Sequence, residues 1–266
     1  MSDSITCSLI VSTYNWPAAL HLVLKSISKQ TKMPDSVIVA DDGSGKETEA
    51  VIQHWRNQLS SELIHVWQPD EGFQVGRIRN KAIAQANGDY IINIDGDMVL
   101  HKDFVSDHLN AAKPNCFIQG GRVILNPAIT SKALTEEHLN IHLFSKGVSN
   151  RKNVLRNQVL SQWILKRESS DIGRVRSCNI AFWKAQLIKV NGFNEDMTGW
   201  GREDTELVVR LVNAGYRRSN LKFAGLAYHL YHKQADRDRL SINDQILQQN
   251  IDQQCSWCEN GLSQYL

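Results

Sequence analysis

Two carboxylates stand two residues apart in Asp95-Gly96-Asp97, directly after an apolar run that is typical of a strand. In extended backbone, side chains two residues apart point to the same side. The glycine between them leaves room for a ligand to approach closely. Paired carboxylates suit a hard divalent cation, including one that also binds phosphates. Acidic turns are common, so the pair alone leaves an ordinary turn as the alternative.

Two histidines, His229 and His232, lie three residues apart in the last extended segment. By itself, this spacing is more typical of surface or core packing than of a metal site. If the two imidazoles converge with Asp97, the mixed set of ligands would suit a transition metal. The spacing alone leaves both interpretations open.

A third group of reactive residues opens a predicted helix with Glu203 and Asp204. Acidic residues in a first turn stabilise the helix dipole, which is the structural explanation for them. That explanation does not cover the preceding Gly199-Trp200-Gly201, which indicates a tight turn presenting a flat aromatic face to a sugar. An ionised carboxylate at this position could accept a proton from a hydroxyl group.

The first half of the chain alternates short apolar runs with amphipathic segments. Strands are predicted at 9–13, 37–40, 63–67 and 90–94. Helices are predicted from Pro17 onward, at 48–59 and at 75–86. This order indicates a parallel sheet with helices on its faces, and such sheets bind ligands at the carboxyl ends of their strands. Polar clusters follow three of those ends, at Ser12 to Asn15, at Asp41-Asp42 and at Asp95 to Asp97.

The second half is less regular. Residues 131–166 are predicted to be mainly helical, and 175–183 to be extended. Helices are predicted at 184–190 and 203–213, before extended segments that end at His232. No linker or repeat interrupts the chain, so we expect one domain.

The composition argues against a membrane-spanning, a secreted and a zinc-binding protein. The 266 residues are 42% hydrophobic and 22% charged, as in an ordinary globular protein. No run of about 18 apolar residues spans a membrane, and the N-terminus shows no secretory signal. The five cysteines are scattered, so a reducing cytoplasm is expected. Cys255 and Cys258 lack the further ligands that zinc needs, and we interpret them as packing residues of the tail.

The net charge of +2 hides an asymmetry. The first 126 residues carry 11 basic and 14 acidic side chains, whereas the remainder carries 19 and 14. A nucleic-acid partner is not indicated. The basic excess is concentrated at 146–176, which is either a solvated helix face or a surface for an anionic partner. A phosphorylated acceptor and the inner membrane leaflet are the two such partners considered.

These motifs together resemble a family-2-type glycosyltransferase of the GT-A fold. The resemblance rests on the order of six motifs across residues 5–235, namely Ser12-Thr-Tyr-Asn, Asp41-Asp42-Gly43-Ser44, Arg79-Asn80-Lys81, Gly88-Asp-Tyr-Ile, Asp95-Gly96-Asp97 and Gly199-Trp-Gly-Arg-Glu-Asp-Thr-Glu. The C-terminal part is similar to the galactosyltransferase-type module of β-1,4-galactosyltransferases and bacterial chondroitin polymerases. The implied fold is α/β, a Rossmann-like, mostly parallel sheet flanked by helices. The resemblance also implies a single domain with a nucleotide-sugar-binding half at 1–126, an acceptor and catalytic half at 127–240 and a tail at 241–266.

The resemblance implies a role for each matching residue. The uracil and ribose of a UDP-sugar would lie near Ser12, Tyr14 and Asp42, with Asp41 as the alternative. The rest of the donor site would comprise Arg79 near the nucleotide or its phosphates, Asp95 on the ribose or the sugar, and the adjoining Gly96.

The resemblance also implies a metal site and a catalytic pair. Asp97, His229 and His232 would bind a divalent cation, Mn²⁺ in the first place with Mg²⁺ as the alternative. Asp204 would be the catalytic base, and Glu203 would hold hydroxyl groups of the acceptor or donor. Trp200 and Gly201 would contact a sugar, whereas Thr205 departs from the common acidic residue and receives no role.

The implied reaction is metal-dependent, inverting transfer of a hexose or N-acetylhexosamine from a UDP-sugar to a glycan or lipid-linked glycan acceptor. A bacterial cytoplasmic enzyme of surface polysaccharide or lipopolysaccharide synthesis, peripheral on the inner membrane face, is the corresponding hypothesis. The alternative is a non-catalytic nucleotide-sugar or glycan-binding protein on the same fold. A nucleotidyltransferase or a dehydrogenase is disfavoured because no glycine-rich loop follows the first strand.

Overall fold

The computed structural model describes residues 5–233 and 236–266. Its strands, in chain order, are β1 (Cys7–Thr13), β2 (Ser36–Asp41), β3 (Glu62–Trp67), β4 (Tyr90–Asp95), β5 (Met98–Leu100), β6 (Cys116–Gly120), β7 (Val123–Leu125), β8 (Val148–Ser149), β9 (Glu168–Ser169), β10 (Asn179–Trp183), β11 (Arg217–Leu221) and β12 (Ala227–His229). Its helices are α1 (Pro17–Ile27), α2 (Lys46–Arg56), α3 (Val75–Gln85), α4 (Phe104–Ala111), α5 (Pro127–Glu136), α6 (Gln158–Leu165), α7 (Lys184–Lys189), α8 (Glu203–Asn213) and α9 (Leu240–Asp252).

The strands form two sheets. The larger has the order β3-β2-β1-β4-β10-β6-β11-β9, and the smaller has the order β5-β12-β7-β8. The first four strands of the larger sheet are parallel to one another, whereas β10 lies antiparallel between β4 and β6. The predicted alternation of strands and helices in the first half is therefore present.

The register of the central strands brings three polar chain segments to one edge. Thr13 pairs with Asp41 across β1 and β2, and Ser12 pairs with Asp95 across β1 and β4. Because these strands are parallel, their carboxyl ends lie side by side at this edge. The polar residues predicted from strand ends are thus neighbours in space.

Two apolar cores lie on the two faces of the larger sheet. Side chains of β1 alternate between them, since Leu9 and Val11 face one core and Ile10 faces the other. This explains the apolar run from Leu9 to Val11 within β1, because a strand that is covered on both faces favours apolar side chains. The buried Ser8 of the same strand shares a hydrogen bond with the Ser36 hydroxyl at 2.8 Å. Helix α6 reaches the first core through Leu165, and α7 reaches the second through Leu187.

The stretch 131–166 is not mainly helical, which corrects the prediction. Helix α5 ends at Glu136, and 137–157 contain only the short β8 and a single 3₁₀ turn before α6 begins. The backbone of Glu137, Gly147 and Asn150 is left-handed, with φ of 48°, 75° and 56°. A right-handed helix cannot run through such positions. Similarly, the extended segment predicted at 175–183 forms a strand only from Asn179.

The C-terminal residues 241–266, expected to be a tail, are folded against the rest of the chain. They contain most of α9 and end in a 3₁₀ turn at Leu262–Tyr265, whose Leu262 is fully buried in the second core. The side chain of Asn191 donates to the Cys258 carbonyl at 2.7 Å and accepts from the Ser263 amide at 2.6 Å. Cys258 is a buried free thiol, as its expected packing role requires. No helix in the described ranges is long and apolar enough to cross a membrane.

Candidate active site

Asp97, His229 and His232 form one cluster. The Asp97 Oδ2 atom lies 3.4 Å from His229 Nε2 and 3.2 Å from His232 Nε2. One potential ligand atom from each residue lies within 4.8 Å of the others. The sheet register explains the convergence, since β12 pairs antiparallel with β5 and places His229 opposite Met98, the neighbour of Asp97.

The cluster has the properties of a divalent metal site. The second carboxylate oxygen of Asp97, Oδ1, is buried and has no hydrogen-bond partner among the described residues. A buried, unpaired carboxylate oxygen is costly unless a cation or donor satisfies it. One carboxylate and two imidazoles match the donor preferences of first-row divalent metals. The residues therefore fit the cation that the sequence predicts.

The two histidines differ in their environment. Burial lowers the pKa of His229 to about 4, which keeps its imidazole neutral and able to donate a lone pair. The hydrogen bond to Asp97 raises the pKa of His232 to about 9. A protonated His232 would balance the Asp97 carboxylate, and a cation held by these residues would displace that proton.

Arg79 lies between Asp95, which is next but one to Asp97, and the acidic pair of α8. Its Nε donates to Ser12 Oγ at 3.0 Å and its Nη2 donates to Asp95 Oδ1 at 2.9 Å. Its Nη1 lies 3.8 Å from Glu203 Oε1 and makes no hydrogen bond within the described part of the chain. The arginine is 2% exposed and also lies over the ring of Phe193. Asp95, in turn, is separated from Asp97 only by Gly96.

Gly96 allows the chain to turn tightly at this point. Its amide donates to the Ser12 carbonyl at 2.6 Å. A Cβ atom at Gly96 would come within 3.0 Å of that carbonyl oxygen and of the Thr13 side chain. The glycine therefore holds Asp95 and Asp97 close to the end of β1.

The two aspartates after β2 are bound within the turn that they begin. Asp41 Oδ1 accepts from the Ser44 amide at 2.8 Å, and its Oδ2 lies 3.0 Å from His65 Nε2. Asp42 accepts from the Gln68 side chain at 2.6 Å and from the Gln74 amide at 2.9 Å. Burial raises the pKa of Asp42. Both residues shape the turn, and Asp42 is the less buried of the two.

Tyr14 projects from the same edge and is 52% exposed. Its hydroxyl donates to Asp70 Oδ2 at 2.9 Å. Asp70 was not predicted as a site residue, although it closely follows the third parallel strand, as Asp42 and Asp95 follow the second and fourth. Gly43, at φ +97°, permits the contact, since a Cβ there would lie 2.5 Å from the Asp70 Cα atom.

Glu203 and Asp204 lie at the N-terminus of α8. Asp204 accepts from the Ser177 amide at 3.2 Å and from the Thr205 amide at 2.7 Å, and burial raises its pKa. Burial together with the neighbouring Asp204 carboxylate raises the pKa of Glu203 to about 7. Glu203 Oε2 is buried and finds no hydrogen-bond partner in the ranges described. One carboxyl of the pair is thus held by backbone amides, while the other has a free oxygen.

The Gly199-Trp200-Gly201 loop leads into this helix with a left-handed backbone. The two glycines have φ of 74° and 106°, and the Gly199 amide donates to the Phe73 carbonyl at 2.9 Å. Trp200 and Phe73 line a cleft of about 220 Å³, whose other lining residues are Gly199, Asp236, Asp238 and Arg239. The guanidinium of Arg237 lies 4.7 Å from the centre of the Trp200 ring.

The Gly199 to Gly201 loop is fixed by hydrogen bonds from a residue that was not predicted from the sequence. Asn243 of α9 is fully buried, and its side-chain amide donates to the carbonyls of Thr198 at 3.1 Å and Gly201 at 2.9 Å. It lies in the segment expected to be a tail, and only the fold reveals its position under the loop.

Comparison with known proteins decides the family. The model of the family described as "Glycosyl transferase family 2" matches residues 8–173, which is more than half of the chain. The chain belongs to glycosyl transferase family 2. A second model, described as "N-terminal domain of galactosyltransferase", matches residues 159–233, which include the Glu203 and Asp204 pair and both histidines of the metal cluster.

Curated relatives of this family member include polysaccharide synthases. The chain is 30% identical to the hyaluronan synthase of Pasteurella multocida over 78% of its own length and 23% of the relative. It is 26% identical to the chondroitin synthase of Escherichia coli over 92% of its length and 38% of the relative. The chain thus spans well under half the length of these relatives.

Solved structures share the fold. S. aureus TarS in complex with UDP superposes with a TM-score of 0.63 at 18% identity, covering 98% of this chain and 68% of TarS. The mannosyltransferase PcManGT from Pyrobaculum calidifontis, in complex with GDP-Man and Mn²⁺, gives a TM-score of 0.59 at 17% identity, covering 88% and 59%. The GT-A fold and the glycosyltransferase family expected from the sequence are confirmed. A family-2 glycosyltransferase is an enzyme, so the expectation of a transferase is confirmed as well.

Proposed function

We propose that the chain is a metal-dependent, inverting transferase that moves a hexose or N-acetylhexosamine from a UDP-sugar to a glycan acceptor. The observation that carries the proposal is the position of Arg79, which contacts Asp95 on one side and approaches Glu203 on the other. Through it, the metal cluster and the acidic pair of α8 form parts of one site. A donor diphosphate and an acceptor hydroxyl could therefore meet there.

The proposed binding site for the UDP-sugar donor is the edge of the larger sheet at which β1 and β2 end. Ser12, Tyr14 and Asp42 stand at the ends of β1 and β2, where parallel sheets bind nucleotides. The TarS neighbour holds UDP in its crystal structure, which favours a uridine nucleotide. Arg79 is buried among Ser12 and Asp95, so its proposed role is to hold these two residues and to offer the unpaired Nη1 towards the donor.

The proposed cofactor is a divalent cation held by Asp97, His229 and His232. When bound, such an ion neutralises the charge that develops on the departing diphosphate. We favour Mn²⁺ over Mg²⁺ because Mg²⁺ prefers oxygen ligands, whereas this cluster offers two imidazoles. The PcManGT complex, which contains Mn²⁺, supports the same choice.

The proposed chemistry uses the chain's own carboxylates. Asp204 takes the proton from the acceptor hydroxyl as its oxygen attacks the anomeric carbon from the face opposite the diphosphate. The backbone amides of Ser177 and Thr205 fix the Asp204 carboxylate during this step. Glu203 binds a sugar hydroxyl through its free oxygen, and Trp200 packs on a sugar ring. A single displacement inverts the configuration, so an α-linked UDP-sugar yields a β-linked product.

The proposed setting is the synthesis of a bacterial surface polysaccharide or lipopolysaccharide on the cytoplasmic side, with a glycan or lipid-linked glycan as acceptor. The named relatives support it, since they include hyaluronan and chondroitin synthases. Another relative is named as a poly(ribitol-phosphate) β-N-acetylglucosaminyltransferase of Staphylococcus aureus.

The proposal is tested by measuring UDP release from a panel of UDP-hexoses and UDP-N-acetylhexosamines. We expect release from at least one donor, its loss with EDTA and its recovery with added Mn²⁺. Anomeric configuration of the transferred sugar is then read by NMR. Release that is insensitive to EDTA would contradict the metal site, and an α-linked product would contradict inversion.

A further inference from the structure

Helix α6 exposes three apolar side chains to solvent. Val159 is 79% exposed and Trp163 is 56% exposed, and Leu160 lies beside them. These positions are three and four residues apart, so their side chains are neighbours on one helix face. The side that faces the protein contains the buried Ser161 and Leu165, and the Ser161 hydroxyl has no hydrogen-bond partner in the described ranges. We call Val159, Leu160 and Trp163 the outer face of α6.

The outer face is held in a fixed orientation. The Asn157 side chain caps the helix by accepting from the Leu160 amide at 3.1 Å. At the other end, the Leu165 carbonyl accepts from the Ser219 hydroxyl at 3.2 Å and from the Lys113 ammonium. An ordered helix with three contiguous apolar side chains in water is typical of a surface that meets a partner.

Basic side chains flank the outer face along the chain. Exposed Lys152 precedes the helix, and exposed Lys166 and Arg167 follow it. The Arg167 guanidinium lies 4.2 Å from the centre of the Trp163 ring. Arginine and lysine around tryptophan and aliphatic side chains are the composition of helices that lie in a membrane interface.

The acidic residues of the segment 146–176 do not neutralise this charge. Its two carboxylates, Glu168 and Asp171, pair with Lys113 at 3.5 Å and Arg218 at 2.7 Å, and both of these cations lie outside the segment. Among the cations of the segment, Arg156 is paired with Asp103 at 3.4 Å and with Asp107 at 2.7 Å, whereas Lys152, Lys166 and Arg167 have no carboxylate partner in the described part of the chain. An anionic surface is the complement that this charge requires.

We infer that the outer face of α6, with Lys152, Lys166 and Arg167, docks on an anionic phospholipid bilayer. The apolar side chains enter the interface, while the cations contact lipid phosphates. A soluble anionic polymer would satisfy the cations but leave Val159 and Trp163 in water, so a bilayer fits both features. This inference is independent of the proposed transfer reaction, because it rests on another part of the molecule.

The test is flotation of the full chain with phosphatidylcholine vesicles, with and without phosphatidylglycerol. We expect binding only to the anionic vesicles, weakened by salt. The pair Lys152→Glu and Lys166→Glu should lower the partition coefficient by about 25-fold or more, since each basic residue near such a surface contributes about fivefold. The pair Val159→Ser and Trp163→Ser should lower it about tenfold or more.

Helix α7 provides matched controls on the opposite face of the sheet. Ile188 and Lys189 are both exposed there. Ile188→Ser and Lys189→Glu therefore remove an apolar and a basic side chain, as the test variants do, but away from the outer face of α6. We expect both to bind anionic vesicles like the native chain. Equal binding by the outer-face variants, or no binding by the native chain, overturns the inference. Analytical ultracentrifugation gives a further contrary outcome. If the native chain is a dimer and the Val159 and Trp163 substitutions dissociate it, the outer face is a subunit contact and the inference is overturned.

Discussion

Replacing Asp204 by Asn tests the proposed base most directly. The substitution keeps the shape of the side chain and removes its ability to take up a proton. Loss of a general base typically costs about 10²–10⁴-fold in rate, which corresponds to roughly 3–5 kcal/mol on the barrier. We therefore expect kcat for UDP-sugar turnover to fall by about that factor.

The structure indicates that folding is affected far less. Asn retains one carbonyl oxygen, which can keep the 2.7 Å bond from the Thr205 amide, while the 3.2 Å bond from Ser177 is lost. One such hydrogen bond contributes about 1–3 kcal/mol. Because burial already disfavours the charged Asp204, removing the charge offsets part of this loss. The net cost of about 1 kcal/mol is small against a typical stability of about 5–15 kcal/mol.

The two readouts are measured separately. Turnover is followed as UDP release, and stability as the free energy of unfolding in urea. UDP affinity, measured by calorimetry, should stay within about threefold, since Asp204 is not placed at the nucleotide. Asp252→Asn is the control, because this exposed α9 carboxylate accepts a hydrogen bond from the Gln248 side chain at 2.8 Å and pairs with no cation among the residues described. It should leave turnover and stability unchanged. Native turnover in folded Asp204→Asn protein would refute the assignment of the base.

Three other changes probe the rest of the site. Replacing His232 by Gln should weaken Mn²⁺ binding by about 10–100-fold or more, measured by calorimetry, and unchanged affinity would remove it from the metal site. Burial and the neighbouring Asp204 raise the pKa of Glu203 to about 7. Replacing Glu203 by Gln removes this neighbouring acid, so Asp204 should ionise more easily. The acidic limb of the pH profile of kcat/KM should then move to lower pH. Because the pKa of Glu203 is higher in the folded than in the unfolded chain, the native protein should also lose stability as the pH rises from about 4.5 to about 7. Urea unfolding at several pH values would detect this loss, and the Glu203→Gln variant should not show it. Replacing Arg79 by Leu leaves the buried Glu203 and the partly exposed Asp95 without their cation and should lower the free energy of unfolding by about 3–5 kcal/mol. A loss below about 1 kcal/mol would show that Arg79 does not hold Asp95 and Glu203 together.

The strands of the first half could be predicted from the sequence, because their local apolar pattern matches their burial in the sheet. Apolar runs bounded by acidic turns predicted the strands before Asp41 and Asp95, because a strand buried on both faces leaves a clear signature. The convergence of His229 with Asp97 depends on the pairing of β12 with β5. Their sequence spacing could not show it, and the resemblance to galactosyltransferase-type enzymes supplied the expectation.

Other features depend on contacts that no local pattern encodes. Asn243 is one of many polar residues of its segment, and its role arises only because α9 packs beneath the Gly199 to Gly201 loop. The irregular stretch after α5 was mistaken for helix, since its composition does not reveal the left-handed backbone at Glu137 and Asn150. In both cases, tertiary structure decides between local alternatives.

The strand order has a consequence for how the chain is made. Strand β10 lies between β4 and β6, yet it is synthesised after both of them. Strand β2, which carries Asp41, can pair early because it follows its neighbour β1 directly in the strand order of the chain, whereas β4, which carries Asp95, pairs with β1 only after β2 and β3 have been made. Strand β6, by contrast, emerges with both edges unpaired, because its neighbours β10 and β11 both follow it in sequence. During synthesis, these open edges are exposed to mispairing until Asn179–Trp183 and Arg217–Leu221 are made.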